Sequence, residues 1–116
     1  MTAIARFGPP VALMGLIFFL SAQPDLSSGL GGWDLVLRKL AHMTEYAALF
    51  ALWRRALPGR SPWLAAALAI GYACTDEFHQ TFVTGRHGTP VDVLIDAVGI
   101  GIGLLTLRLL QARRAG

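Results

Sequence analysis

Apolar residues along the chain fall into four runs, roughly 6–23, 37–57, 62–83 and 91–110, each bounded by charges or turn-forming residues. Each of the last three holds about the twenty residues that a helix rising about 1.5 Å per residue needs to cross about 30 Å of hydrocarbon. The pattern predicts an all-α chain, a polytopic membrane protein folded as a single four-helix transmembrane bundle. The first run is shorter in its uninterrupted part, Val11 to Leu20, with Arg6 before it and Ser21 and Ala22 after it. That layout also fits the hydrophobic region of a signal peptide, so a cleaved leader and a retained helix both stand. A retained helix would start near Phe7 with Pro9 and Pro10 in its first turn, where a missing N–H costs little.

The connections fit a compact bundle. Pro58 to Pro62, PGRSP, breaks the chain and predicts an antiparallel hairpin between the second and third helices. Gln23 to Asp34, QPDLSSGLGGWD, is a longer loop rich in Ser and Gly, with Trp33 placed for a membrane interface; Trp53 and Trp63 are placed for the opposite one.

Composition strengthens the membrane reading. With 54% hydrophobic and 15% charged residues over 116 positions, and a mean hydropathy of +0.54, the chain is more apolar than a soluble domain of this size tolerates. Charge then orients it. Arg6, Arg54, Arg55, Arg60, Arg108, Arg113 and Arg114 fall on one side of a four-span arrangement, leaving Arg38, Lys39 and Arg86 for the other. The positive-inside rule predicts both termini in the cytoplasm. The net charge of +3 and pI near 9.8 come from that edge, where arginines meet anionic lipid headgroups. No groove-binding helix or aromatic interleaving accompanies the basic residues, so nucleic acid is not an expected partner. The single Cys74 cannot form an internal disulfide and reads as a small packing residue.

Against this apolar background the acids stand out. The predicted topology brings Lys39, His42, Glu45 and Tyr46 of the second helix, Asp76, Glu77, His79 and Gln80 of the third, and Asp92 and Asp96 of the fourth to one depth beneath the outer surface. Lys39, His42 and Glu45 or Tyr46 follow one helical stripe, Asp76 and Gln80 another, and Asp92, Asp96, Gly99 and Gly103 a third. An ionised side chain at a helix centre costs about 2.5 to 3.5 kcal/mol on insertion scales, and less near the ends, so these groups are expected to pair or to meet water. Lys39 and Arg86 are the available countercharges. The resulting expectation is an acid-rich pocket, with Lys39, Glu45, Tyr46, Gln80, Arg86, Asp92 and Asp96 as ligand-binding candidates. In an enzymatic version Glu77 or Asp76 would be the general base, His42 would hold or relay the proton, and Lys39 and Arg86 would stabilise developing negative charge. No nucleophile is evident among Thr75, Thr81, Thr89 and Cys74. His42, Glu45, Asp76, Glu77 and His79 include acceptable metal ligands, His42 and Glu77 foremost, in a weak pattern that keeps metal assistance as an enzyme variant; no metal and no cofactor is predicted. Gly99 and Gly103 read as a close-packing face. The plainer alternative for the whole cluster is interhelical glue.

The segments FFLSAQPD (18–25), KLAHMTEYAALF (39–50) and YACTDEFHQTFVTGRHGTPVDVLIDAVGIGIG (72–103) resemble the VanZ-like family of small bacterial membrane proteins, over nearly the whole chain. The most specific matches are the Lys, His and Tyr of the second helix, the acid-Glu-x-x-Gln run, the Gly-Arg turn, and the Asp followed by Gly-x-x-x-Gly. At the position of Asp96 the family often has Asn, which would leave this chain one extra carboxylate, protonated or paired with His42 or Arg86. The resemblance implies a multi-pass protein of the bacterial cytoplasmic (inner) membrane, and the founding member is associated with low-level resistance to the glycopeptide antibiotic teicoplanin. It supplies no reaction. Membrane lipids and a lipid-linked or cell-wall-derived envelope molecule are the expected partners, and oligomerisation stays open. An accessory subunit of an envelope complex and a proton- or cation-coupled transport component are the alternatives; the apolar inner halves of the helices argue against transport.

Overall fold

The computed structural model describes residues 2–21, 32–82 and 90–115, with backbone alone at 21, 32–35, 90–92 and 115. Four helices make up this part of the chain: α1 (Ala3–Ser21), α2 (Gly32–Ala56), α3 (Pro62–Gln80) and α4 (Pro90–Ala115). At about 1.5 Å per residue they are about 28 to 39 Å long. Ala3–Leu20 and Val93–Arg114 are long and apolar enough to cross a membrane. The ionisable residues of α2 and α3 keep those two helices below the same mark.

Helix ends follow local chemistry. Thr2 Oγ1 accepts from the Ala5 N–H at 3.1 Å and caps α1. Ser61 Oγ accepts from the Trp63 N–H at 3.2 Å, and Pro62 fills the first position of α3, where no amide donor is needed. Gly59, at φ +78°, makes the turn between α2 and α3 in a conformation that a Cβ would penalise. Because α1 starts at Ala3 rather than near Phe7, Pro9 and Pro10 lie within the helix and not in its first turn. Pro9 therefore removes the bond that the Ala5 carbonyl would accept. Arg55 of α2 replaces it, its Nη1 donating to Ala5 O at 3.0 Å.

Side-chain contacts fix the helix directions. Arg6, near the start of α1, donates from Nε and Nη2 to the carbonyl of Ala56, the last residue of α2, at 3.0 and 2.8 Å. These bonds satisfy a C-terminal carbonyl and place a cation at the negative end of the helix dipole. The Tyr72 hydroxyl of α3 donates to Met14 O of α1, and His79 lies against Phe18 with ring centroids 4.2 Å apart and the rings tilted by 32°, so α1 and α3 run parallel. Gly99 faces Met43 and Gly103 faces Ala47 and Phe50, so α2 and α4 run parallel too. The chain thus goes up, down, up, down. The α2–α4 contact is the most extensive; among the described residues α1 and α4 do not touch.

The interior is small or polar. Ala65, Ala66, Ala69 and Ala73 of α3 are buried with Ile17, Tyr46, Leu49, Phe50 and Ile100, and Asp76, Gln80 and Asp96 are buried beside them. Large apolar side chains point outward from every helix, among them Leu16 and Phe19, Leu37 and Leu40, Leu64 and Leu68, and Leu94 and Leu105. Water would not favour that distribution, whereas lipid does. Cys74 departs from its expected packing role: it is exposed, about 100° around α3 from buried Ala73. Trp53 packs near the Phe7 ring, 6.4 Å between centroids, while Trp63 is exposed beneath the Arg108 guanidinium.

Candidate functional site

The up-down order brings the C-terminal end of α3 and the N-terminal parts of α2 and α4 to one end of the bundle, and the arginines of the 54–60 region and of the α4 tail to the other. At the first end, Nδ1 of His42 lies 3.1 Å from Oδ1 of Asp96, the spacing of an imidazole N–H donating to a carboxylate, and this joins α2 to α4. Asp96 is only 2% exposed. Asp76, equally buried, accepts at Oδ2 from Gln80 Nε2 at 3.2 Å, one turn along α3. Tyr46 is fully buried one turn from His42, their rings nearly parallel with centroids 6.4 Å apart. Its hydroxyl reaches no hydrogen-bond partner among the described residues.

These groups form one electrostatic unit. His42 interacts with Asp96, Glu45 and Asp76; Glu45 with His42, Asp96 and Asp76; Tyr46 with Asp76, Asp96, Tyr72 and Glu45. Residues of α2, α3 and α4 are thus within reach of one another.

Other candidates sit differently. Glu77 is half-buried, about 100° around α3 from Asp76. His79 turns toward Phe18 of α1. Lys39 is half-buried one turn before His42. Asp92 lies in α4 by its backbone, with its side chain outside the described part; Arg86 lies outside the described residues altogether. Among the described residues no three His, Cys, Asp or Glu side chains gather around a common point that could hold a metal ion.

The glycines of α4 allow the unit to form. A methyl on Gly99 would fall 2.3 Å from the Met43 carbonyl oxygen, and one on Gly103 would meet the Phe50 ring at 3.0 Å. The α2 and α4 backbones approach closely here, one turn beyond the His42–Asp96 contact. Tyr72 is the member the sequence reading left without a role. Its signal was the 72–76–80 spacing, which continues the Asp76–Gln80 stripe by one turn and gives Tyr72 an interaction with Asp76 as well as its bond to α1.

The carboxyls of Glu45, Asp76 and Asp96 thus lie among an imidazole, an amide and the phenols of Tyr46 and Tyr72, a set able to exchange a proton or to receive a polar guest.

The same residues fall within a known pattern: the family model VanZ/LLP1 matches residues 8–111, nearly the whole chain. The chain belongs to the VanZ/LLP1 family. No curated protein and no solved structure matches it. Two helices apolar enough to span, together with VanZ/LLP1 membership, make this a membrane protein. The family match takes in the whole buried unit, from His42 and Tyr46 through Asp76 and Gln80 to Asp96.

Proposed function

We propose that all four helices cross the bacterial cytoplasmic membrane, with both termini and the 57–61 turn on the cytoplasmic side, and that the unit around His42 and Asp96 belongs to a site beneath the outer surface. The site binds or modifies a cell-envelope molecule, lipid-linked or derived from the cell wall. The observation that carries this reading is the burial of ionisable groups from α2, α3 and α4 within mutual reach, inside a bundle whose outer surface is apolar. Isolated polar contacts between membrane helices contribute only about 0.6 kcal/mol on average, so helix association alone gives little reason to keep so many ionisable groups there. Asp76 and Glu77 are the candidate bases, His42 holds the proton, and Lys39 and Arg86 meet the phosphate or carboxylate of the guest. The family link makes reduced susceptibility to teicoplanin the phenotype to assay first.

Topology is tested by labelling from outside intact cells with a membrane-impermeant maleimide in a Cys74→Ser background. Ser28→Cys is expected to react and Ser61→Cys to react only after permeabilisation; the reverse pattern inverts the orientation. Function is tested by native mass spectrometry of protein purified with its envelope lipids. A retained lipid-linked sugar is expected, lost on Asp76→Asn or Glu77→Gln while membrane abundance is unchanged. Loss of the protein itself in both variants would instead assign the cluster to assembly.

One feature favours a second reading, an accessory subunit. Among the described residues α1 and α4 do not touch, and Leu105 and Leu109 of α4 are exposed, leaving apolar surface for a neighbouring helix. Co-purification of a stoichiometric membrane partner would support it.

A further inference from the structure

A second feature lies at the opposite end of the bundle from the acidic unit. α2 and α4 touch most tightly at Met43 and Gly99, loosen by Gly103, and then leave a groove of about 340 Å³ walled by Ala47, Phe50, Gly103, Leu107 and Leu110. That volume is within the range of about 300–1,000 Å³ typical of small-molecule sites. The lining is apolar apart from Thr106, whose hydroxyl already donates to Ile102 O, and Arg54, its one charged residue. Arg54 spends Nη1 on the Leu57 carbonyl at 3.3 Å, while its Nε is buried with no hydrogen-bond partner among the described residues. A neighbouring depression of about 630 Å³ shares Thr106 and Leu110 with the groove and brings Arg113 to its edge.

We propose that this groove is a site for one anionic phospholipid, an acyl chain lying against Phe50, Leu107 and Leu110 and the phosphate held by Arg54 and Arg113. The inference rests on the membrane reading above, which sets this end at the cytoplasmic headgroup level. Charge complementarity selects the occupant. A soluble anion would gain nothing from the apolar walls, and a zwitterionic lipid would bring its own cation toward two arginines. A second copy docked through the same face would oppose Arg54 and Arg113 with its own pair. An anionic lipid matches both parts, apolar tail to groove and phosphate to guanidinium.

The test uses the full chain purified in mild detergent and titrated with phosphatidylglycerol or phosphatidylcholine of matched chains, read by native mass spectrometry. One phosphatidylglycerol is expected to bind about fivefold or more tighter than phosphatidylcholine, the effect of about one well-placed arginine. Arg54→Gln should remove that preference. Ala51→Trp, which fills the groove, should weaken both lipids. Arg108→Gln should change nothing, because that arginine lies over Trp63 on another face. No preference in the parent protein, an equal loss in Arg54→Gln and Arg108→Gln, or a dimer that Ala51→Trp converts to monomer would each overturn the proposal. Failure of the membrane reading is separately visible, as extraction of the protein from membranes without detergent.

Discussion

Leucine at Gly99 unfolds the bundle. Even alanine there sets a methyl 2.8 Å from the Met43 Cα and 2.3 Å from its carbonyl oxygen, the latter more than 1 Å inside ordinary contact. The obstacle is backbone, which cannot rotate aside as a side chain can. α2 and α4 must move apart along their shared length, and the His42–Asp96 contact one turn away opens with them. Overpacking of a well-filled interior costs about 1–3 kcal/mol, occasionally more; a backbone collision at the most extensive helix contact belongs at or above the top of that range. Gly99→Ala is expected to lower the thermal unfolding midpoint in detergent markedly, and Gly99→Leu to abolish folded protein in the membrane. Gly103→Ala is the internal comparison. Its nearest obstacle is the edge of the Phe50 ring at 3.0 Å, which can turn, so about 1 kcal/mol or less is expected. Equal midpoints for Gly99→Ala and the parent protein would mean that the helices are further apart than described.

The second large effect is an asymmetry across the His42–Asp96 contact. His42→Ala takes one hydrogen-bond partner from a carboxyl that is 2% exposed, and losing a hydrogen bond to a charged group costs about 1.5–3 kcal/mol. Asp96→Asn keeps an acceptor oxygen in the same place and is expected to cost much less. It also supplies the residue that the family resemblance places at that position. Unfolding midpoints of His42→Ala, Asp96→Ala and the double variant complete a thermodynamic cycle that removes the contact from either side, in which the coupling between positions 42 and 96 should be of the same order as the His42→Ala loss. A coupling near zero would mean that the 3.1 Å contact contributes nothing.

How far the sequence foretold this arrangement depends on what kind of signal each feature left. Existence and order of the helices were legible because hydrophobicity marks where a chain is buried or in lipid. Helix ends were not, for the same reason. α2 begins at Gly32 rather than Leu37, five residues ahead of the apolar run, and α4 runs on through Gln111, Arg113 and Arg114 to Ala115, where polar helix formers extend the helix past its apolar stretch. α3 stops at Gln80, short of Val83, where the Thr81 hydroxyl donates to the Phe78 carbonyl at 2.7 Å and takes up one of the final acceptors. The proline pair misled differently. Sequence rules put it in a first turn, but the cost of its place inside α1 is met by Arg55, fifty residues away, and no local pattern encodes that.

The site was legible at the level of stripes and less so at the level of partners. Helical spacing grouped Asp76 with Gln80 and put His42 on an inner face, and the 3.1 Å contact with Asp96 is one of the two pairings that the extra carboxylate suggested. Spacing alone could not separate Asp76, buried with the unit, from adjacent Glu77, nor show that His79 turns to Phe18. Those distinctions depend on how each helix is rotated about its own axis, which tertiary packing decides. The arginines carried two meanings at once. Read as a topology signal they orient the chain, yet Arg6 and Arg55 also tie the start of α1 to the end of α2 through backbone carbonyls.

An interior of alanine, glycine and buried acid beneath a coat of leucine and phenylalanine reverses the usual ranking of mutational damage. In a water-soluble domain the costly change is to shave a large residue from the middle. Here trimming Leu105 or Leu16 exchanges one hydrocarbon neighbour for another, while an added methyl at Ala69 or Ala73, both fully buried, has to displace its neighbours. Mutational tolerance in this chain should therefore follow side-chain volume, with small residues the constrained ones and bulky residues free to drift.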